Sequence, residues 1–381
     1  MIKKPKISAI QLALLGAGSG LMIPYTFLPM VKKEFSNQDI WIIFIFAIFL
    51  ILIINIPLFV LVNKTKELNF YERHDIILGK AAGKAVSSLF VIFFVFAFVV
   101  YTMITLLFVK IYLLPDTPEW ASLLFLVFPL TYASKKGPGT IGRLGTFIVP
   151  LIIMTIVFFF IMGINQMKPE TLLPILSDST LMSISKGAFM TAIRFAEILI
   201  IILFSYFLKK GETVNKAFII GLLTFFISFM LILMPVILVL GTDLAKISNN
   251  PYYTYTRQVG DYEFVQRVQS INIVAWFTGT LVKLTIYNYM ACYVIAGIFN
   301  NKKGHSFFAW PVTIISSAIC MLPFMQKSSV HLIINDDIYP WVVLGYVFVI
   351  PLILMIAYLI RKKKVNEKIQ QIIKEQQTQP Q

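Results

Sequence analysis

The 381-residue chain is 58% hydrophobic and only 13% charged, with 34 Phe and a mean hydropathy of +0.82. Soluble domains carry roughly 25% charged residues, so this balance excludes one and points to an all-α integral membrane protein. A formal net charge of +15 raises nucleic acid as a partner, and the placement of the basic residues along the chain decides against it.

A bilayer core of roughly 30 Å takes about 20 apolar residues per helix. Ten stretches of this kind fall between clusters of charge and turn residues: 7–30, 38–62, 87–113, 120–134, 145–163, 187–207, 215–241, 270–298, 306–325 and 340–360. Span one follows Lys3, Lys4 and Lys6 with no small-residue cleavage site after it, so it reads as a retained transmembrane helix and not a signal peptide. Its middle, GAGSGLMIP at 16–24, puts three glycines in five residues. Two readings stand. In one, the helix unwinds at 18–20 and a second half-helix begins near Leu21. Its first N–H groups and positive dipole end then face an anion held among Ala17, Gly18, Ser19, Gly20 and Leu21, with Pro24 in the first turn. In the other, the glycines only permit close helix packing. The glycine density favours the break.

The connection 63–85 is polar and reads as a short surface helix before span three. Span three carries Tyr101, Thr102 and Thr105, which either line a site or, for the threonines, bond their own backbone. Lys110, at its far end, reads as a snorkelling residue. Span four is short and borrows residues from its edges. The run KKGPGTIGR at 135–143 is glycine-rich but lacks the Walker spacing of a phosphate loop.

Span six places Arg194 and Glu197 in the hydrocarbon region, where ionisable residues are costly enough to count as functional candidates. A spacing of three puts them on one helix face, so they either neutralise each other or leave Glu197 for a substrate amine, with Thr191 and Phe195 as neighbouring site candidates. The connection 241–269 holds four tyrosines beside mixed charge and reads as an external lid or an interfacial aromatic belt. Lys283 lies mid-span in helix eight. A lysine there pairs with a carboxylate such as Glu197, stands as a fixed ammonium in place of a coupling cation, or carries a proton. Pro57, Pro150, Pro235 and Pro351 read as kinks. The tail 361–381 is a basic anchor with a frayed Gln-rich end.

Cys292 and Cys320 fall inside spans, and His74, His305 and His331 lie in separate connections, so neither a disulfide framework nor a metal site is expected. No nucleophile motif appears; no enzyme activity, cofactor or metal is expected. With ten spans, the termini and even-numbered connections share one side, and most of the 33 Lys and Arg lie there. The positive-inside rule makes both termini cytoplasmic. The basicity is thus a topology signal that also attracts anionic lipid of the bilayer, and nucleic acid is not a partner. Five spans per half would invert the second half on the first, giving repeats at about 7–163 and 187–360 and making span six the counterpart of span one.

GSGLMIP in span one resembles the unwound first helix of the amino acid–polyamine–organocation transporter superfamily, and Phe195-Ala196-Glu197 is similar to the break in its sixth helix. One branch is closer. NQDIW at 37–41, the SYFLKKGETVNKA turn after Glu197, and NNPYYTYTRQVGDYEFVQRV with AWFTGTLVKLTIYNY between 249 and 289 resemble the B subunits of GerA-type spore germinant receptors, endospore germination permeases. The likeness runs through essentially the whole chain. Gln266 and Gln269 flank Arg267 where the family commonly has acidic residues, which puts a salt-bridge role for that motif in doubt. The resemblance implies a LeuT-like 5+5 inverted-repeat permease fold with broken helices one and six. It also implies the inner membrane of a spore, an A subunit and a lipoprotein C subunit as partners, and an amino acid or similar small nutrient as ligand. Three functions follow for testing: a germinant-sensing subunit, a proton-coupled amino acid transporter, and a structural scaffold for partners.

Overall fold

The computed structural model describes residues 6–26, 37–260, 268–322 and 338–378. The side chains at 23–26, 197, 200, 201 and 375–378 fall outside that description, as do Gln266 and Arg267 entirely. All ten expected spans have helical counterparts, in order. They are α1 (Ala9–Thr26), α2 (Ile40–Lys64), α4 (Lys80–Tyr112), α5 (Glu119–Lys136), α6 (Pro138–Gly163), the interrupted pair α7 (Leu181–Phe195) and α8 (Ile200–Leu203), α9 (Val214–Pro235) continuing into α10 (Gly241–Ile247), α12 (Gln269–Ile298), α13 (His305–Cys320), and α14 (Tyr339–Leu344) continuing into α15 (Ile350–Ile360). Six of these are long and apolar enough to cross a bilayer by length and composition, while α1 and α13 are shorter apolar helices. Among the described residues the only extended pairing is a bridge between Ile7 and Leu208.

Backbone hydrogen bonds explain this economy. A bilayer offers none, so each spanning segment must satisfy its own, and where proline removes a donor the chain tightens or widens locally. Pro235 is followed by a π-helical turn at Val236–Leu240, and another, Gly345–Val349, precedes Pro351. Both absorb the mismatch without exposing carbonyls to lipid.

Three connections depart from expectation. The helix between spans two and three, α3 (Phe70–Leu78), starts with the reciprocal Asn69/Glu72 capping box, but it is no surface helix: Phe70, Arg73, His74 and Ile77 are buried. Gly79, at φ 95°, makes the turn that only glycine takes readily, and α4 begins at once, seven residues before the expected start of span three. The Arg73 guanidinium donates from Nε to Thr65 Oγ1 at 2.7 Å and from Nη2 to the Leu68 carbonyl at 3.3 Å. Burial pushes it down to about 10, so it stays charged at neutral pH. His74 shares a 2.9 Å hydrogen bond with Ser87 through Nδ1, and burial, with the Arg73 charge adding to it, pushes the imidazole down to about 3. His74 is therefore neutral in the folded chain.

The tyrosine-rich connection after span seven forms α11 (Pro251–Val259), and the three tyrosines of that helix turn inward. Tyr252 and Tyr255 are fully buried, and the Tyr255 hydroxyl donates to the Phe159 carbonyl of α6 at 2.6 Å. An aromatic belt facing headgroups is thus not what these residues build. The described part of the tail is ordered: 362–378 form α16 (Lys362–Thr378), because Val365 and Ile369 recur on one face and bury against Leu61, Ile77, Leu354 and Tyr358, while 379–381 lie outside the described residues.

NQDIW has a structural use as well. Asp39 is buried, and its carboxylate accepts from the Leu176 backbone N–H at 3.0 Å and from Ser179 Oγ at 2.6 Å, while Gln38 Nε2 donates to the Pro174 carbonyl and to Asp178. The entrance to α2 is thereby clasped to the segment that leads into α7. Lys110, read as a snorkelling residue, instead pairs with Glu119 at 2.7 Å, partly exposed between α4 and α5.

Candidate functional site

The break expected in span one is absent. Residues 9–26 form one continuous α-helix through all three glycines. Packing explains why the glycines are there. A Cβ on Gly18 would sit 2.5 Å from Val149 Cγ2 of α6, and one on Gly20 would sit 2.9 Å from the Phe225 ring of α9. The glycines let α1 sink between α6 and α9, the alternative that the sequence left open. Pro24 lies in the last described turn of α1, not in the first turn of a second half-helix. Lacking an N–H, it leaves the Gly20 carbonyl without its helical donor. Polarity in this helix therefore comes from carbonyls and a hydroxyl, without unwinding.

Span six does change conformation where expected. α7 ends at Phe195, Ala196–Leu199 tighten into a 3-10 turn, and α8 follows. Both the 3-10 turn and α8 pack on α1. The Glu197 side chain lies outside the described residues, so its pairing with Arg194 or with a ligand is not decided here. Arg194 itself is buried in the last turn of α7, where a cation suits the helix dipole. Thr191 is buried one turn earlier.

At the crossing of α12 and α1 the buried Lys283 ammonium donates from Nζ to the Ser19 carbonyl at 3.1 Å and lies 3.5 Å above the centre of the Tyr101 ring of α4. Both are cation ligands, a carbonyl oxygen and a π face. The Tyr101 ring stacks on Tyr287, one helical turn past Lys283, at 5.8 Å, and its hydroxyl is 2.8 Å from that of Tyr339 in α14. Ser19 is 1% exposed, and among the described residues its hydroxyl has no hydrogen-bond partner. Leaving a buried hydroxyl in that state costs about 1–3 kcal/mol. Thr102 Oγ1 is also buried without a partner among the described residues.

The structure thus brings together Ser19, Tyr101 and Lys283 from three different spans. The other candidates make contacts of their own. Phe195 packs edge-on or tilted against Phe44, Phe225 and Phe229, in the aromatic core joining α2, α7 and α9. The Thr105 hydroxyl donates to the Tyr101 carbonyl at 2.7 Å, the backbone bonding that threonine favours in membrane helices. Gly18 and Gly20 face α6 and α9, and Ala17 and Leu21 are buried in the main core. Tyr287 and Tyr339 were not anticipated as site residues. The i to i+4 spacing from Lys283 signals Tyr287, whereas nothing local signals Tyr339. Among the described residues, no three His, Cys, Asp or Glu side chains are grouped to hold a metal ion.

Solved structures share this fold. The nucleobase-cation-symport-1 family transporter Mhp1, in a closed conformation with bromovinylhydantoin bound, superposes with a TM-score of 0.67 at 11% identity, covering 94% of this chain and 80% of its own. A Na+-coupled sialic acid symporter gives 0.60 at 12%, covering 93% and 78%. MhsT in complex with L-phenylalanine gives 0.58 at 12%, covering 93% and 99%. At such identities the likeness shows the fold alone, and the protein is a multi-pass membrane protein with the LeuT-like permease fold. Its family follows from the sequence: the spore germination protein family model matches residues 6–329, and the chain belongs to that family. The spore germination protein YndE of Bacillus subtilis (strain 168) is 24% identical over 350 residues, 91% of this chain and 93% of the relative.

Proposed function

We propose that this chain is the membrane-embedded germinant-sensing subunit of a spore nutrient receptor. In this reading it lies in the spore inner membrane with both termini cytoplasmic, is built from repeats at about 7–163 and 187–360, and acts with an A subunit and a lipoprotein C subunit. An amino acid or similar small nutrient binds near the midplane between spans one, six and eight. The observation that carries the reading is Ser19, whose carbonyl takes the Lys283 ammonium while its buried hydroxyl meets no partner among the described residues. That hydroxyl suits a ligand carboxylate, and Glu197, on the turn that packs against α1, suits the ligand amine. Lys283 serves as a built-in cation between α1 and α12, so binding needs no added sodium. A ligand shifts a conformational equilibrium only through unequal affinity for its two states. The polar cluster that joins α1, α4 and α12, beside the turn of span six that packs on α1, is where such a difference arises.

Reconstituted protein is assayed with radiolabelled amino acids for binding and for uptake, with and without a pH gradient. The receptor reading expects saturable binding, insensitive to sodium, weakened about tenfold by Ser19→Ala through loss of one charge-assisted hydrogen bond, and no accumulation. Gradient-driven accumulation supports instead a proton-coupled amino acid transporter. Pocket substitutions that leave the nutrient response of spores unchanged would reduce the chain to a scaffold.

A further inference from the structure

α16 is amphipathic, yet its apolar stripe is already occupied. Val365 and Ile369 are buried in a small core with Leu61, Ile77, Leu354 and Tyr358. Its angle to α15 is fixed by two polar ties: the Tyr358 hydroxyl donates to Asn366 Oδ1 at 3.2 Å, and Arg361 Nη1 donates to the Ile77 carbonyl at 3.0 Å. The helix is therefore docked on the protein by its apolar side and does not insert that side into lipid. What it presents outward is basic. Lys362, Lys363, Lys364 and Lys368 are all exposed, against Glu367, the one exposed acid among the described side chains of this helix. Lys64 and Lys66, also exposed, extend this charge from the end of α2, opposed by Glu67.

Depth along the membrane normal supplies the second argument. Ile353, Ile356, Leu359 and Ile360 are outward-facing apolar side chains of α15, Ile360 being 79% exposed. In a membrane-spanning helix such a stripe faces acyl chains. Only Arg361 separates its end from the lysines, so these lie within about one helical turn, ~5 Å, of the end of the hydrocarbon, at the level of phosphate groups. An ammonium near an anionic leaflet is attracted within a Debye length of roughly 8–10 Å.

We infer that the outward face of α16 is a docking surface for anionic phospholipid headgroups, holding the helix between the phosphates and its own apolar core. Lipid charge thereby reaches α2 and α3, which share that core. The test uses the full chain in nanodiscs of purely zwitterionic lipid and in discs with about half phosphatidylglycerol. Amide hydrogen exchange across 362–374 is expected to be about tenfold slower in the anionic discs, the difference vanishing near 0.5 M salt. Lys362→Gln, Lys363→Gln, Lys364→Gln and Lys368→Gln combined should erase the difference while Val365 and Ile369 keep the helix docked. Equal exchange in both discs, or a difference that survives either the salt or the fourfold substitution, overturns the proposal. Should the fourfold variant fail to fold, the salt series on the unmodified chain decides alone.

Discussion

Spans one and six were expected to be alike, and they are not. Span one holds the poorest helix formers in the chain and remains one α-helix; span six holds Ala, Glu, Ile and Leu at its break and tightens into a 3-10 turn. The contrast teaches that glycine density reports how closely a helix is approached. Where a helix changes conformation is decided by what packs beside it. In span one the approach is by Val149 and Phe225, and a Cβ has no room. In span six the altered turn rests on α1, and 3-10 geometry keeps backbone groups bonded, which a bilayer requires.

Three substitutions press on this contrast, the first with the largest effect. Phe195→Ala removes a ring from the Phe44, Phe225 and Phe229 cluster and is expected to cost about 3 kcal/mol, read as a fall in Tm, with ligand affinity retained by the folded fraction. Lost affinity at unchanged Tm would restore Phe195 to the site and make span six the ligand-bearing half. Next, Gly18→Ala is expected to cost about 2 kcal/mol through overpacking against Val149. In a Val149→Ala background the sign reverses, because alanine in a continuous helix gains about 1 kcal/mol over glycine. Destabilisation that ignores Val149 would mean that span one is not packed as described. The smallest effect lies outside both spans. His74 is held neutral, pushed from 6.5 down to about 3, so the unfolded chain binds the extra proton first as pH falls. The stability it contributes is complete well above pH 6.5 and declines below it, by about 1.4 kcal/mol per pH unit at most and about 1 kcal/mol between pH 6.5 and 5.5. Equilibrium unfolding at pH 6.5 and 5.5 reads this, and His74→Phe should flatten it. A slope that survives the substitution would place the titrating group elsewhere.

Much of the fold was legible because a bilayer enforces one simple code: apolar length, charge at the ends, proline at the kinks. That code located ten spans, whereas the irregularity of span six at Phe195-Ala196-Glu197 was legible only through the family resemblance. Mid-span charge singled out Lys283 for the same reason, since few uses justify its cost. The code is silent about direction around a helix. Thus it could not tell that Phe195 packs into the ring cluster of α2 and α9 or that Thr105 bonds the Tyr101 carbonyl, while Tyr339, brought to Tyr101 from the far end of the chain, carried no sequence mark. The burial of α3, α11 and α16 was missed because their charged and aromatic residues read as interfacial, and only tertiary packing turns Tyr255 or His74 inward. Gly18 and Gly20 were ambiguous in principle, as the same residue serves unwinding and close approach.

The two native thiols lie in different seams of this bundle. Cys320 bonds the Ser316 carbonyl and packs beside Val99 of α4, whereas Cys292 lies against Ser134 of α5. Both are buried, and a buried thiol is chemically inert until it meets solvent. The chain therefore carries two silent alkylation reporters: modification of Cys320 alone records parting of α4 from α13, and modification of Cys292 alone records parting of α5 from α12, with no cysteine introduced.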